Sequence, residues 1–395
     1  MVQSERPIKI LFIVNSLRFF MSHRSALANS CSRQGWEVHV AAADEFGEFS
    51  LKDSDVKFHS VEAFRSKQIP FFSRIQILVQ LFKIIMTVRP NVCHVVTLEA
   101  IFFFTILNVI FFRIPSVLAF AGFGRFFTTF AEKNRSLQKL LESVLSVVLR
   151  RGRYIAVVQN KSDLAHIKKL APRLPVELIR GSGVNLRQFA WADYEVLPRS
   201  FGELKVLFAS RLMVTKGILD FLAAASILMQ KRTDIRMFVA GSFDTNNDDV
   251  IPNETMARYV DSGAVEYIGF CSCIPDLLRG IDVVCLPSVY GEGMPKVLLE
   301  AAAAGCIVVS TSTSGCAEAF IPGISGVLVP PNRPDKLAEI LQKLASMPVD
   351  RLSEMGRAGR AIAVSEFDVS LVVKKHFEIY RRFVDDEERI DNLRR

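Results

Sequence analysis

The chain has 395 residues, half of them apolar, and a formal net charge of +8. That length suits two domains, each with a buried core, and the apolar content excludes a disordered or fibrous protein. The charge is uneven: residues 1–200 carry 27 Lys+Arg against 15 Asp+Glu, a net of +12, whereas residues 201–395 carry 22 against 26, a net of −4.

Short apolar runs alternate with helix-like stretches along the chain. In the first half the pattern predicts strands at Lys9–Ser16, Trp36–Ala43, Lys57–Ala63, Val92–Thr97, Ser116–Ala121, Tyr154–Gln159 and Val176–Ile179. Helical stretches at Ser22–Gln34, Ser73–Val88, Leu137–Arg151 and Lys161–Leu170 fall between most of them. The second half predicts strands at Lys205–Ser210, Arg236–Gly241, Val265–Phe270, Val283–Ser288, Ile307–Thr311 and Gly326–Val329, and a last helix near Val369–Arg382. Continuous apolar strands separated by helices indicate parallel sheets covered on both faces. Periodicity is lost near Phe189–Gly202, where Pro198 and Gly202 interrupt the chain. The expected fold class is therefore α/β. Two doubly wound, Rossmann-like parallel-sheet domains face a cleft, with residues 1–190 in the first, 191–203 as linker and 204–366 in the second. Residues 367–395 form a C-terminal helical segment placed to cross back to the first domain.

The apolar segment 8–14 is too short for a secretory leader and reads as a strand. Ala100–Phe112, which holds Phe102, Phe103, Phe104, Phe111 and Phe112, falls short of the roughly 20 residues of a membrane-spanning helix. It is either a surface that rests on a membrane or a core helix, and the two readings are compatible. Most of the seven cysteines sit inside apolar runs, and only Cys271 and Cys273 are close, so reduced thiols are expected. These features predict a soluble, cytoplasmic chain. The basic, Phe-rich first half suits an anionic membrane face or a diphosphate. No groove-reading or stacking motif supports nucleic acid.

The strongest local signal is Glu292-Gly293-Met294-Pro295-Lys296-Val297-Leu298-Leu299-Glu300, directly after a strand. Pro295 suits a first helical turn, and Gly291 and Gly293 let the backbone approach a ligand closely. A helix start presents N–H groups and a positive dipole end to a diphosphate. The carboxylates of Glu292 and Glu300 suit vicinal sugar hydroxyls, since each accepts two hydrogen bonds. A helix that merely buries Val297, Leu298 and Ala301 explains the stretch taken alone.

Arg211 and Lys216 follow another strand end, with Lys216 opening the next helix. Two cations there can neutralise a leaving diphosphate, and surface charge is the alternative. Gly181-Ser182-Gly183-Val184-Asn185 is either a plain turn or a phosphate contact at Gly183. After the first strand, Ser22 is a helix-cap candidate, and His23 and Arg24 are placed to meet an anionic partner. His94, with Glu99 just beyond, is either on the same side or a core histidine. Ala121-Gly122-Phe123-Gly124-Arg125-Phe126-Phe127 opens like a dinucleotide fingerprint, but Phe127 stands where the third glycine belongs. Nicotinamide oxidoreduction and P-loop ATP hydrolysis are not expected.

Together these stretches resemble the family-4 glycosyltransferases, which have the GT-B fold. Glu292 to Glu300 matches that family's Glu-x7-Glu motif. Ser210-Arg211-Leu212 to Lys216-Gly217 looks like its phosphate-binding loop, and Gly181 to Asn185 like its interdomain turn, where Asp is more usual than Asn185. Gly305, the strand Ile307–Thr311 and Gly315-Cys316-Ala317-Glu318 follow the pattern. The Phe-x-x-His-Arg stretch is similar to bacterial members that extend lipid-linked glycans.

The resemblance implies a retaining, metal-independent hexosyltransferase with no cofactor, a UDP-sugar serving as co-substrate. The transferred sugar would be an N-acetylhexosamine and the acceptor a polyprenyl-diphosphate-linked sugar or a glycan. The setting would be bacterial polysaccharide, lipopolysaccharide, exopolysaccharide or glycoprotein-glycan synthesis, with the enzyme peripheral on the inner face of the cell membrane. Arg211 and Lys216 would hold the diphosphate and Glu300 the ribose. Glu292 would face the sugar, with Gly293, Met294, Pro295 and Lys296 around it. His23, Arg24 and His94 would lie on the acceptor side, in the first domain. Many members carry an acceptor-side histidine where this chain has Phe120-Ala121-Gly122. A sugar-nucleotide epimerase of similar fold and a non-catalytic sugar-nucleotide binder are the alternatives.

Overall fold

This computed structural model describes residues 7–44, 55–65, 71–123, 135–189, 203–231, 234–244, 247 and 249–394. The chain divides into two units, Met1–Ser182 with Ser370–Arg395, and Gly183–Val369. Residues 190–202, almost the whole of the expected linker, lie outside the described residues. So do Gly124 to Phe127 of the glycine-rich stretch.

All thirteen expected strands form. The first unit holds β1 (Lys9–Ser16), β2 (Glu37–Ala43), β3 (Val56–Ser60), β4 (Val92–Val96), β5 (Ser116–Phe120), β6 (Tyr154–Val158) and β7 (Val176–Leu178). They make one parallel sheet in the order β3-β2-β1-β4-β5-β6-β7. The second unit holds β8 (Leu204–Ala209), β9 (Ile235–Ala240), β10 (Glu266–Gly269), β11 (Val283–Leu286), β12 (Ile307–Thr311) and β13 (Gly326–Val329), ordered β10-β9-β8-β11-β12-β13. Strand order reverses beside β1 and β4 in one sheet, and beside β8 and β11 in the other. Loops leaving the carboxyl ends of those strand pairs diverge, which opens the crevice where such sheets bind ligands.

Alternation along β1 shows why the central strands are apolar. Leu11 and Ile13 enter one core, and Ile10, Phe12 and Val14 enter another on the opposite face. The second of these cores is closed by the last helix, Val369–Arg394, through Val372, Ile379, Tyr380 and Phe383. That helix runs well past the expected Arg382. Gly183–Phe189, expected in the first domain, sits in the second unit. Val184 is buried there and exchanges backbone hydrogen bonds with Phe367 and Val369 at 2.8 and 3.0 Å.

Two local expectations change. The stretch expected as one helix over 22–34 is two, Leu17–His23 and Ser25–Arg33, broken at Arg24 (φ −131°). Ser16, not Ser22, caps the first of them, accepting from the Phe19 N–H at 3.4 Å. The apolar run Ala100–Phe112 forms the helix Leu98–Leu107 and continues into a wider turn, Asn108–Phe112. Ile101, Phe103 and Phe104 are core, while Ile110 and Phe111 are exposed by 64% and 60%. The core-helix reading therefore holds for the first part of the run, while Ile110 and Phe111 lie on the surface. No described helix is long and apolar enough to cross a membrane. All seven cysteines are free thiols, five of them buried.

Candidate functional site

In the second unit, the turn after β8 is built to hold Lys216 in place. Leu212 and Met213 are buried, and Met213 pairs with Val250. The Asp249 carboxylate accepts from the Thr215 N–H at 3.2 Å and from the Thr215 hydroxyl. Lys216 ends the short turn Val214–Lys216 and does not open the helix, which starts at Ile218. The reason is Gly217: its φ is +79°, and a Cβ there would meet the Pro287 carbonyl oxygen at 1.9 Å. Only glycine lets the turn lie this close to the chain leaving β11.

That chain carries the partner carboxylate. Lys216 Nζ donates to Glu292 Oε2, and both side chains are largely shielded, at 17% and 12% exposure. The hydroxyl of Ser288, fully buried, lies 2.9 Å from Glu292 Oε1 and 3.1 Å from the carbonyls of Thr215 and Tyr290. The Glu292 N–H donates to Ser314 O at 3.0 Å, tying the loop to the segment after β12. Met294 is buried, as are Gly293 and Pro295. Pro295 sits just outside the helix Lys296–Ala303, at its cap, one position earlier than expected. Its φ of −62° and ψ of 121° aim the chain into the helix, and its ring supplies no capping oxygen.

Within that helix Lys296 and Glu300 face each other at 3.4 Å. Burial pushes the Glu300 carboxyl above its ordinary range, and Lys296 opposes the shift. Arg211 stands at the same strand end, half exposed, and pairs with Asp244 at 3.1 Å. The carboxyl edge of the sheet thus gathers two cations, a bracketed carboxylate and a helix start, a set suited to an anion joined to a hydroxyl-bearing group. Gly183 is elsewhere in the unit. Its φ is +81°, and a Cβ would meet Val369 Cα at 2.7 Å. Close packing on Val369 is by itself enough to require glycine there.

In the first unit the expected ligand-facing groups have structural surroundings. His23 stacks on Phe19, with ring centroids 4.2 Å apart, and its Nδ1 lies 3.2 Å from Phe19 O. Arg24 is not a surface cation. It is 3% exposed, donates to His23 O at 2.9 Å, and burial lowers its pKa to about 10 while Tyr380 opposes the shift. His94 is fully buried between Phe12 and the last helix, its Nδ1 2.6 Å from the Tyr380 hydroxyl and its ring 5.3 Å from that of His376. Burial drives His94 well below the ordinary histidine range. Arg24 and His94 lie inside the fold against the helix Val369–Arg394, whereas His23 is partly exposed.

Sequence reasoning missed Ser288, Thr215 and Asp249. Ser288 stands four residues before Glu292 and two past β11, and that adjacency was the available signal. Thr97 follows β4 at φ +75°, a strained conformation for a β-branched residue, and its buried hydroxyl has no hydrogen-bond partner. Glu99, two residues on, has its carboxyl pushed up to about 7 by burial, against the pull of Arg74. Among the described residues no three His, Cys, Asp or Glu side chains converge as a metal site.

Two family models match the chain. The Glycosyl transferase 4-like model covers residues 9–159, and the Glycosyl transferases group 1 model covers residues 192–362. The chain is 25% identical over 291 residues to N,N'-diacetylbacillosaminyl-diphospho-undecaprenol alpha-1,3-N-acetylgalactosaminyltransferase of Campylobacter jejuni, covering 71% of this chain and 74% of that one. It is 25% identical over 387 residues to EpsD of Bacillus subtilis, assigned as a glycosyltransferase, covering 95% and 97%. Its fold is similar to sucrose-phosphate synthase from Thermosynechococcus elongatus, with TM-score 0.77, 17% identity and coverage of 96% and 100%. It is also similar to Anabaena HepE, solved in complex with UDP and glucose, with TM-score 0.74, 19% identity and coverage of 95% and 100%. The chain belongs to the group 1 glycosyl transferases, with a 4-like domain preceding the group 1 domain.

Proposed function

We propose that this glycosyltransferase moves an N-acetylhexosamine from a UDP-sugar to a polyprenyl-diphosphate-linked or glycan acceptor, with retention of configuration and without a metal ion. The observation that carries the reading is the pairing of Lys216 with Glu292 beside the start of the Lys296–Ala303 helix. Lys216 and Arg211 would neutralise charge on the diphosphate as its bond to the anomeric carbon breaks. The acceptor oxygen bonds to that carbon, the electron pair leaves with the diphosphate, and the acceptor's proton passes to the departing phosphate oxygen. Glu300 would accept hydrogen bonds from the ribose hydroxyls, and Glu292 from the sugar. The Campylobacter relative's undecaprenol-linked acceptor and the UDP held by HepE support this choice of substrates.

A lipid-linked acceptor calls for contact with a bilayer, and the first unit has a surface suited to it. Along the helix Phe71–Val88, Ile75, Val79 and Met86 form an exposed stripe. Phe82 joins it to Phe111 at a ring distance of 5.4 Å. Lys83, Arg89 and Arg113 are exposed around it. Apolar side chains flanked by cations suit the anionic inner face of a bacterial membrane.

Transfer assays on Lys216→Ala and Glu300→Ala test the site. Each is expected to lose activity by about 100-fold or more, with unchanged circular dichroism. Full activity in both variants would remove the assignment.

A further inference from the structure

The ammonium of Lys216 is already engaged by a carboxylate. A diphosphate that takes Lys216 brings a second anion to one partly buried cation. Lysine has three donors, so both anions can reach it, but they then repel each other where water screens them poorly. A nucleotide sugar offsets this repulsion, because its sugar hydroxyls can donate to the carboxylate the diphosphate has displaced. A nucleoside diphosphate has no such hydroxyls at that place and bears the repulsion uncompensated.

We infer that Glu292, through its pair with Lys216, discriminates the nucleotide-sugar donor from the nucleoside diphosphate product, and that Ser288 is the positioning residue that keeps its carboxylate aligned. This rests on the donor reading above and concerns the same site. After transfer the sugar is gone, Glu292 reclaims Lys216, and the product's hold on the site weakens. The Ser288 hydroxyl is suited to this exchange. It has one proton and three acceptors within 3.1 Å: the Glu292 carboxylate and the carbonyls of Thr215 and Tyr290. When Glu292 shifts toward a sugar, the proton finds another acceptor, and no fully buried donor is left unpaired. Asp249 keeps the Thr215 end of this arrangement fixed.

Calorimetric titration with UDP, and with UDP-N-acetylglucosamine and UDP-N-acetylgalactosamine, tests the inference. Glu292→Gln keeps an acceptor for Ser288 and removes the charge. It is expected to tighten UDP binding by about tenfold, and by less than about twofold in a Lys216→Ala background. Ser288→Ala is expected to weaken the better-bound sugar nucleotide by about tenfold while leaving UDP within about twofold, whereas a merely structural loss would weaken both. Unchanged or weaker UDP binding in Glu292→Gln overturns the inference. So does equal tightening with and without Lys216, which would mean direct repulsion of the diphosphate without the pair. In either case the donor reading stands. If neither UDP nor a sugar nucleotide binds the wild type or any variant, the donor reading falls, and this inference falls with it.

Discussion

At the carboxyl edge of the second sheet, Glu292 is held between Lys216 and the Ser288 hydroxyl, and Arg211 and Lys296 each have a carboxylate partner. In the first unit Arg24 and His94 gather against His376 and Tyr380 on the buried face of the last helix. There the Nε atom of Arg24 and the Nε2 atoms of both histidines are buried without a hydrogen bond. The first arrangement is the one proposed above to exchange with a ligand. The other is closed by a helix and spends its polar groups on fixing that helix. A histidine or arginine after a sheet strand is therefore not by itself a sign of a binding surface. What covers it decides.

Glu99 is where the first unit departs from that pattern, and it carries the largest expected stability effect. Its carboxyl is half-buried in the first turn of the helix Leu98–Leu107, and burial raises it from 4.5 to about 7. A raised folded-state value means the folded protein prefers the protonated acid. The contribution to stability is fully present below pH 4.5 and is lost as pH rises through 7. The neutral, isosteric Glu99→Gln is thus expected to stabilise the protein by about 2 kcal/mol at pH 8, a figure reduced for solvent screening, and by less than about 1 kcal/mol at pH 5. Urea unfolding of the first unit at the two pH values measures this. An equal gain at both would mean that Glu99 is not held protonated by burial.

The same contrast explains how much was legible in the sequence. The strands were readable because most are short apolar runs set off by polar or helical segments, the edge strands β3 and β10 being the more polar ones. Glu292 and Glu300 were readable because both lie on one stretch leaving one strand. The core-histidine reading of His94 holds, but its partner was not readable, since Tyr380 is 286 residues away. Arg24 reads as exposed until the last helix is known to lie over it. Ser288 acquires its role from Lys216, which reaches Glu292 across 76 residues. Helix starts shifted by one or two positions at Gly217 and Pro295. Close backbone contact set the first of these, a distance no propensity records.

A smaller effect sharpens the view of the first unit as a structural cluster. Tyr380→Phe keeps the ring in the core and removes the hydroxyl that meets His94 Nδ1. It leaves both ring nitrogens of a buried histidine unpaired, at an expected cost of about 1.5 kcal/mol in thermal or urea unfolding. UDP affinity is expected to stay unchanged. If the variant lost UDP binding while keeping its stability, the cluster would have a part in the substrate site after all.

The smallest stability effect belongs to the exposed apolar stripe, and its functional effect separates the two roles given to the Phe-rich run. Ile110 and Phe111 leave little apolar area to lose on substitution, since both are already more than half exposed. Changing both to serine is expected to move stability by no more than about 0.5 kcal/mol. If the proposed membrane contact holds, the wild type sediments with anionic liposomes at low salt and the same change abolishes it. Raising the salt should weaken wild-type binding, because Lys83, Arg89 and Arg113 act through a screened field. A variant that still sediments with the vesicles would detach membrane binding from this stripe. A wild type that never does would leave the buried part of the run, with Ile101, Phe103 and Phe104, as its whole contribution.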